Sequence, residues 1–360
     1  MIKIPTRSET IKRAKREGNI IAGVFPIHYP RELLKAHNIH PIEIWGPPRM
    51  DTVKARSHLQ TYICSVVESG LSFVLSDLIE KVDMILVPHS CDSLQGFGST
   101  LIDLISPQKP IFTFYLPRGK RIEDREFLMK ELKNLSEKLS LKFGKRPSES
   151  ELMEKIVEEE KLEELILKAY KKHFLNGGGG KDFYKIIRSR EYLSNEIFTQ
   201  ILEKYLNSQT KQENQLIPII LSGICPEPMD IFKIIEDSGG RVVFDDLATT
   251  RRRIYGKGKS KNPYERMSER LLQGVPDFSR GASIDERFNF LLKSLRDNNL
   301  RGIIFYNIKF CEPEEFYIPI LRRRLKNTGI KSLKIEVDIN QPIPTQTITR
   351  IKSFFEILEQ

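Results

Sequence analysis

Short apolar runs that alternate with helix-length segments constrain the fold of this chain more than any other feature. The first block of runs covers residues 19–25, 41–45, 82–87 and 111–116, and the second covers residues 216–221, 241–244, 302–306 and 332–337. Continuous apolar runs of this length are typical of buried parallel strands, and the segments between them are long enough to cross over a sheet. The sequence therefore predicts an α/β fold with two doubly wound, Rossmann- or flavodoxin-like, parallel sheets.

A charge-rich stretch without a convincing strand separates the two blocks. A chain of 360 residues is long enough for two α/β domains that each bury a core. We predict an N-terminal α/β domain over residues 1–120, a helical connecting segment over residues 121–210 and a C-terminal α/β domain over residues 211–360. Within the first domain, residues 57–78 carry apolar side chains at helical spacing, which predicts a helix with Cys64 in its early turns.

Composition narrows the class of protein. Hydrophobic residues make up 39% and charged residues 29% of the chain, as in a folded globular protein. No signal peptide and no apolar run of the roughly 18 residues needed for a membrane span is found, so the cytoplasm is the expected location. The net charge of +10 favours acidic partners. Its basic runs are interspersed with acidic helices, so a solvated surface is favoured over a nucleic-acid interface, which stays an alternative.

The cysteines suggest a metal site. Cys91, Cys225 and Cys311 each follow a predicted strand, where ligands bind in open parallel sheets. Thiolates beside helix N-termini in a crevice between domains suit a soft metal or an iron-sulfur cluster. Each cysteine alone is equally compatible with a small buried apolar residue, and the chain has no Cys-x-x-Cys pair. The residues by themselves indicate a possible inter-domain metal site and leave its kind open.

Several motifs, separated along the chain, indicate a particular protein family. The chain resembles the 2-hydroxyacyl-CoA dehydratase D-component family, which includes the cluster-bearing subunits of 2-hydroxyglutaryl-CoA dehydratase and benzoyl-CoA reductase. The resemblance covers nearly the whole chain and rests on the order and separation of Gly23-Val-Phe-Pro-Ile-His-Tyr-Pro-Arg-Glu-Leu, Pro41-Ile-Glu-Ile-Trp-Gly, Val87-Pro-His-Ser-Cys-Asp, Gly239-Gly-Arg-Val-Val-Phe-Asp-Asp, Gly302-Ile-Ile-Phe-Tyr-Asn-Ile-Lys-Phe-Cys-Glu-Pro, Ile335-Glu-Val-Asp and Thr349-Arg-Ile-Lys-Ser-Phe-Phe-Glu.

The resemblance implies one 4Fe-4S cluster per subunit, held by three cysteines with one iron left open. By position these cysteines are Cys64, Cys91 and Cys311, whereas Cys225 matches no ligand position. The implied reaction is an ATP-driven, single-electron reduction of a coenzyme A thioester to a ketyl radical. It ends in dehydration of a 2-hydroxyacyl group or in reduction of an aromatic ring, and the resemblance does not choose between the two.

Partners follow from the same resemblance. They are a homologous second subunit, or a second copy of the chain, a separate ATP-dependent iron-sulfur activator protein, and an acyl-CoA substrate. The chain lacks the Gly-x-x-x-x-Gly-Lys-Ser/Thr loop, so ATP hydrolysis is expected on the activator. The alternative is an electron-relay or scaffold subunit of such a complex without its own substrate site.

Three further groups of residues are candidates for the site. His28 lies in the loop after the first strand and Glu43 at the end of the second, where either could serve in proton transfer. A capping or packing role for His28 and an exposed or salt-bridged Glu43 are the alternatives. Arg251, Arg252 and Arg253 are candidates for binding coenzyme A phosphates, because arginine binds phosphate through two parallel hydrogen bonds. A solvated basic loop is the alternative for these arginines.

Overall fold

Two parallel four-stranded sheets form the framework of the protein. The computed structural model describes residues 2–25, 27–45, 50–176, 180–209 and 216–360. The first sheet contains β1 (Ile20–Val24), β2 (Ile39–Glu43), β3 (Met84–His89) and β4 (Ile111–Tyr115). The second contains β5 (Ile217–Gly223), β6 (Gly240–Leu247), β7 (Gly302–Ile308) and β8 (Lys331–Val337). The predicted α/β fold with two parallel sheets is confirmed, and each strand overlaps its predicted run.

Helices connect and cover these strands. The first half contains α1 (Arg7–Arg16), α2 (Arg31–Ala36), α3 (Val53–Arg56), α4 (Ser65–Val74) and α5 (Asp92–Ser99). Between β4 and β5 in the sequence come α6 (Ile122–Phe143), α7 (Glu149–Asn176), α8 (Gly180–Ser189) and α9 (Asn195–Asn207). The second half contains α10 (Asp230–Asp237), α11 (Pro263–Gln273), α12 (Ile284–Asp297), α13 (Glu312–Glu315), α14 (Ile318–Asn327) and α15 (Thr345–Glu359). None of the helices in the described part of the chain combines the length and apolar character that a membrane span requires.

Both sheets have the same strand order. The spatial order is β2-β1-β3-β4 in the first sheet and β6-β5-β7-β8 in the second, with all neighbours parallel. In this arrangement the chain leaves the central strand toward one edge and then returns to the other. The crevice at that reversal, beyond the carboxyl ends of the strands, is where such sheets bind ligands. The two sheets therefore present equivalent ends although their sequences show no obvious repeat.

Alternating side chains bury both faces of each sheet. In the first sheet Ile85 and Val87 belong to a core that also includes Ile219 and Leu221 of the second sheet. The intervening Leu86 belongs to a separate core on the opposite face of the first sheet. Such two-sided burial explains why the strands appear in the sequence as continuous apolar runs. Because one core includes residues of both sheets, the two halves are packed together.

The predicted helical segment does more than connect the halves. Helix α6 covers the outer face of the first sheet with its apolar residues, among them Leu128 and Leu132. Helix α8 packs against the second half, where Tyr184 stacks on Phe232 with ring centroids 4.4 Å apart. Helix α11, from the C-terminal half of the sequence, packs on α6. The division into three consecutive segments stays a prediction, and the packing interleaves them. The glycine run at residues 177–179 lies outside the described residues.

The expected helix over residues 57–78 is wrong as a single element. Helix α3 ends at Arg56 and α4 begins only at Ser65. Cys64 immediately precedes α4 and has extended backbone angles, with φ −70° and ψ 146°. The apolar side chains continue at helical spacing beyond the helix itself, because the loop before α4 also contributes a buried side chain, Ile63, to the core. Cys64 therefore lies at the N-terminus of a helix and not within it.

An ion-pair network on α7 joins the two halves. Glu159 accepts hydrogen bonds from Lys35, at 2.5 Å, and from Arg190, at 3.0 Å. Glu163 accepts one from Arg270 at 3.1 Å. Burial would raise the pKa of Glu159, but Lys35 and the neighbouring arginines hold it well below its ordinary value. Helix α7 thus binds α2 of the first half and α11 of the second through charges that are almost wholly removed from water.

Four buried histidines make the stability of the fold sensitive to acid. Burial lowers the pKa of His28, His37, His40 and His173 to about 4 from an ordinary 6.5. The unfolded chain takes up these protons as the pH falls through 6.5, while the folded chain does not until about pH 4. The free energy of unfolding is therefore expected to fall between pH 6.5 and pH 4, with a limiting slope of about 5.5 kcal/mol per pH unit from the four groups.

Urea denaturation at pH 7, 6 and 5 measures this slope. We expect His40→Gln to reduce it by about 1.4 kcal/mol per pH unit, because one differential proton is removed. The matched control is His58→Gln, since His58 is exposed and meets water before and after unfolding. A stability that stays constant from pH 7 to pH 5 would contradict the prediction.

Candidate metal centre

Three cysteines occupy the same local position, directly before the first turn of a helix. Cys64 precedes α4, Cys91 precedes α5 and Cys311 precedes the short α13. The unpaired N–H groups and the dipole at a helix N-terminus favour a thiolate over a thiol. Cys91 follows β3 and Cys311 follows β7, which are equivalent strands of the two sheets. Cys91 and Cys311 therefore lie at corresponding ends of the two sheets, as their placement after predicted strands indicated.

The three thiols interact electrostatically. Burial and the neighbouring Cys64 raise the pKa of Cys91 to about 12. Burial, with contributions from Cys64 and Cys91, raises the pKa of Cys311 well above its ordinary value. Nearby backbone amides, such as that of Val67 beside Cys64, oppose the rise. Three thiols of two sheets are thus close enough to affect one another, and their shared ionisation is unfavourable without a compensating positive charge.

Cys225 lies apart from this group. Its side chain is fully buried, and burial raises the pKa of its thiol well above the ordinary value. The charged groups that act on it are Glu227 and Arg188, and the other cysteines are not among them. The structure thus brings together Cys64, Cys91 and Cys311 and leaves Cys225 in different surroundings.

The donor set fits a sulfur-ligated cluster better than a single ion. Within the described ranges, no three or more His, Cys, Asp and Glu side chains converge closely enough to hold one metal ion. In a polynuclear iron-sulfur cluster each thiolate binds a different iron, so its cysteines need not converge on one point. The positive irons would also offset the repulsion between the three thiolates. Cys64, Cys91 and Cys311 are therefore suited to such a cluster.

A cavity of about 370 Å³ opens at the ends of the strands, between the two halves. Glu43 ends β2, Cys225 follows β5 and Ile339 follows β8. The backbone N–H of Ile339 donates to Ser65 Oγ at 3.2 Å, and Ser65 directly follows Cys64. The cavity wall thus contacts the helix that begins at the first thiol. The full lining consists of Ile4, Arg7, Glu43, Trp45, Lys185, Arg188, Tyr192, Cys225, Glu227, Met229 and Ile339.

Glu43 lies in this cavity between two arginines. Its carboxylate accepts a hydrogen bond from Arg188 at 2.6 Å and another from Arg7. Burial would raise the pKa of Glu43, but Arg188 and Arg7 hold it below its ordinary value. Arg188 also donates to Glu227 at 3.0 Å, and its guanidinium lies 4.9 Å from the centroid of the Trp45 ring. Glu43 is therefore a salt-bridged anion that orients Arg188.

Three buried polar atoms in the described part of the cavity wall are left without hydrogen-bond partners. They are two donors, Nη1 of Arg188 and Nε of Arg7, and one acceptor, Oε2 of Glu227. Buried polar groups are nearly always satisfied in folded proteins, so unsatisfied groups in a cavity are a natural place for a ligand. Trp45, Tyr192 and Met229 supply apolar and aromatic surface around it.

His28 lies away from this cavity. Its Nδ1 is 2.9 Å from the hydroxyl of Tyr255, and its Nε2 is 3.4 Å from a carboxylate oxygen of Asp277. The ring is completely buried, and burial is the main cause of its low pKa of about 4. At neutral pH the side chain is therefore an uncharged link between the loop after β1 and the second half.

The arginines at positions 251 to 253 do not form an exposed basic rim. Arg252 and Arg253 are buried. Arg253 donates to Glu191 at 2.6 Å and stacks over Tyr29, while Arg252 pairs with several carboxylates. Arg251 lies 4.1 Å from the ring centroid of Tyr170. Their charges are compensated within the protein by carboxylates and aromatic rings, most of which are distant in sequence, so the composition of the loop gave no sign of this burial.

Arg188 and Tyr192 of the cavity wall were not identified from the sequence. They lie in the segment predicted as a connector, and they carry no motif that marks a site. The loop Cys225-Pro-Glu-Pro gave a weak signal, since it follows a strand. Only packing of α8 between the two sheets brings Arg188 to Glu43.

The fold and the three thiols define an α/β protein with a candidate soft-metal centre between two parallel sheets. The family model described as 2-hydroxyglutaryl-CoA dehydratase, D-component, matches residues 26–358, and the chain belongs to this family. The resemblance drawn from the sequence motifs is confirmed.

Relatives with full-length similarity agree with this assignment. The chain is 23% identical over 364 residues to the (R)-phenyllactyl-CoA dehydratase beta subunit of Clostridium sporogenes, covering 97% of this chain and 94% of that protein. It is 24% identical to the beta subunit of lactoyl-CoA dehydratase of Anaerotignum propionicum, covering 95% and 92%. It is 26% identical to a subunit of the benzoyl-CoA reductase of Thauera aromatica, covering 96% and 93%.

Removal of the Glu43 carboxylate is expected to destabilise the fold. Glu43→Ala removes the shared partner of the buried Arg188, which keeps Glu227, and of the partly exposed Arg7, so we expect a loss of about 1–3 kcal/mol of unfolding free energy. Glu17→Ala is the matched control, because the Glu17–Arg13 pair is half exposed and is expected to contribute about 1 kcal/mol or less. Urea denaturation of both variants measures the difference. Equal effects would show that the Glu43 pair is not buried in solution.

Proposed function

We propose that this chain is a cluster-bearing subunit of an enzyme that dehydrates 2-hydroxyacyl-CoA thioesters or reduces aryl-CoA thioesters. Cys64, Cys91 and Cys311 would hold one 4Fe-4S cluster between the two sheets. The observation that carries the proposal is the group of three interacting thiols, each at a helix N-terminus and drawn from both halves. The names of the relatives, two dehydratase beta subunits and a benzoyl-CoA reductase subunit, support the reaction class.

When bound, a 4Fe-4S cluster with an open iron supplies single electrons and a Lewis-acid position for a carbonyl oxygen. The residues of the chain hold the thiolates at helix N-termini and keep water from the packed side of the site. In the cavity, Arg188 Nη1 would donate to an oxygen of the acyl group and Glu227 Oε2 would accept from a hydroxyl. Glu43 would hold Arg188 in place for this hydrogen bond and would not itself donate a proton.

The size of the cavity limits what enters it. A volume of about 370 Å³ is at the lower end of ligand pockets and accommodates an acyl group. The coenzyme A portion would lie outside, toward solvent. Trp45, Tyr192 and Met229 would contact the apolar side chain of the acyl group. His28, a candidate for proton transfer by sequence, would instead help to hold the halves together.

The proposal includes partners. Relatives described as beta subunits support assembly with a second, homologous subunit. The chain has no phosphate-binding Gly-x-x-x-x-Gly-Lys-Ser/Thr loop, so a separate iron-sulfur activator would hydrolyse ATP and deliver the electron. Free cysteines that bind a cluster are maintained most readily in the reducing cytoplasm, where we place the enzyme.

An electron-relay role is the second candidate. It is favoured by the arginines at positions 251 to 253, of which Arg252 and Arg253 are committed to buried ion pairs and are not available for coenzyme A phosphates. In this role the cluster would pass an electron to the partner subunit, and the cavity of this chain would take no thioester.

Iron analysis of cysteine variants tests the cluster. After anaerobic reconstitution we expect about four irons per wild-type chain, the content of one cubane cluster. Replacement of Cys64, Cys91 or Cys311 by serine is expected to lose most of this iron, because serine supplies no thiolate. Cys225→Ser is the matched control and should retain it. A wild-type chain without iron, or loss of iron from the Cys225 variant alone, would overturn the assignment.

A cavity-filling variant separates the two roles. Met229→Trp places an indole in the cavity and is expected to weaken acyl-CoA binding to the reconstituted complex at least about tenfold, since about 1.4 kcal/mol of lost contact suffices. Iron content should not change. Leu167→Trp, on the exposed face of α7, is the control. Thioester affinity measured by calorimetry that is equal in the wild type and Met229→Trp would support the relay role.

A further inference from the structure

We propose that Glu314, held by Arg252, is a positioning residue that fixes the loop of Cys311 and places a negative charge beside its sulfur. The inference rests on the proposed function, because it concerns the cluster that Cys311 would bind. It assigns a role to two buried residues that the motifs did not single out for this purpose.

Glu314 is tied to Cys311 through the backbone. It lies in α13, the single turn that follows Cys311, and its N–H donates to the Cys311 carbonyl at 3.1 Å. Its side chain is 1% exposed. One carboxylate oxygen, Oε1, accepts from Arg252 at 2.7 Å, whereas Oε2 is buried without a hydrogen-bond partner. The charge of this carboxylate is therefore compensated on one side only, and it lies on the helical turn that Cys311 begins.

Arg252 provides a rigid support for this carboxylate. It donates two parallel hydrogen bonds to Asp246, at 3.0 and 3.1 Å. Asp246 is itself fixed by Arg287 at 2.7 Å and by the hydroxyl of Ser222 at 2.8 Å. Paired charges that are this deeply buried hold a defined geometry, since any displacement leaves an uncompensated ion in the interior. Glu314 is thus anchored to strands β5 and β6 of the second sheet.

Arg252 is also connected to the first half of the protein through Asp277. Its Nη1 lies 3.4 Å from Asp277 Oδ2, and that oxygen lies 3.4 Å from His28 Nε2. His28 belongs to the loop after β1, on the side of the molecule that carries Cys64 and Cys91. The series His28, Asp277, Arg252 and Glu314 therefore connects the two halves and helps to fix Cys311 relative to the other two thiols.

The buried carboxylate has an electrostatic consequence for a cluster. Addition of an electron increases the negative charge at the site, and a neighbouring anion in a low-dielectric surrounding opposes it. Charge and burial near the sulfur ligands are among the factors that set the reduction potential of iron-sulfur clusters. Glu314 would lower the potential, and a low potential makes the reduced cluster a stronger donor. Arg252, with the opposite charge, would raise it.

Glu315 provides a matched control on the same turn. Its N–H also donates to the Cys311 carbonyl, at 2.9 Å. Its carboxylate, however, bonds to Asn307 and to Lys334, at 2.6 Å for Lys334, and its side chain is 30% exposed. Its charge is paired with a cation and, unlike the charge of Glu314, partly exposed to water. Loss of its charge should therefore have little effect on a cluster.

The experiment is a redox titration of the anaerobically reconstituted chain, followed by EPR spectroscopy. Iron content is measured first for the wild type, Glu314→Gln, Arg252→Gln and Glu315→Gln. We expect Glu314→Gln to retain iron and to shift the midpoint potential to a less negative value, because the amide keeps the hydrogen bond and removes the charge. Arg252→Gln should shift it in the opposite direction, and Glu315→Gln should leave it unchanged.

The outcomes distinguish this inference from the proposed function. Iron-loaded Glu314→Gln with the wild-type potential overturns the inference alone. If Glu314→Gln loses iron, Glu314→Asp decides: recovery of iron supports the positioning role, and loss in both variants overturns it. A wild-type chain that binds no iron overturns the proposed function and, with it, this inference.

Discussion

The buried charge network between the two sheets is the interaction on which the rest of the structure depends. Glu159 and Glu163 of α7 are paired with basic residues from both halves, and Arg252 pairs with carboxylates of the second. Apolar packing alone is tolerant of small shifts between domains. Buried ion pairs do not tolerate such shifts, because displacement of one partner leaves a charge that the interior cannot solvate. The network therefore fixes how the ends of the two sheets face each other, and the position of each thiol follows from it.

The equal strand order of the sheets gives the site its geometry. Cys91 and Cys311 follow the equivalent strands β3 and β7, and each precedes a helix whose N-terminus favours an anion. Cys64 joins them at the start of a third helix. Burial is the main cause of their raised pKa values, and the neighbouring thiols add to it for Cys91 and Cys311. A site of this kind is stable as thiolates only with a positively charged occupant, which connects the geometry to the proposed cluster.

Burial and pairing determine whether an arginine serves as an internal ion-pair partner or is available to a ligand. By composition the loop at residues 251–253 indicated an exposed phosphate-binding site, but Arg252 and Arg253 serve as internal partners of carboxylates. Conversely, Arg188 lies in a helix without any sequence signal, and yet it has an unpaired donor in the cavity. Glu43 was found from its position at a strand end, and a salt bridge was among its alternatives, but its partners Arg7 and Arg188 were not identified. Pairing between residues far apart in the chain is a property of packing, and no local pattern encodes it.

The sequence alone determined the α/β class, the approximate course of every strand and the family, because apolar periodicity and motif order are written along the chain. It also placed Cys91 and Cys311 at strand ends, since the sheet rule for ligands depends only on the order of elements. Only the tertiary structure decided that Cys64 precedes its helix, that Cys225 lies in a cavity wall and that Glu314 lies beside Cys311. These facts depend on how one half packs against the other, and that packing is set by long-range contacts among buried charges and a shared core.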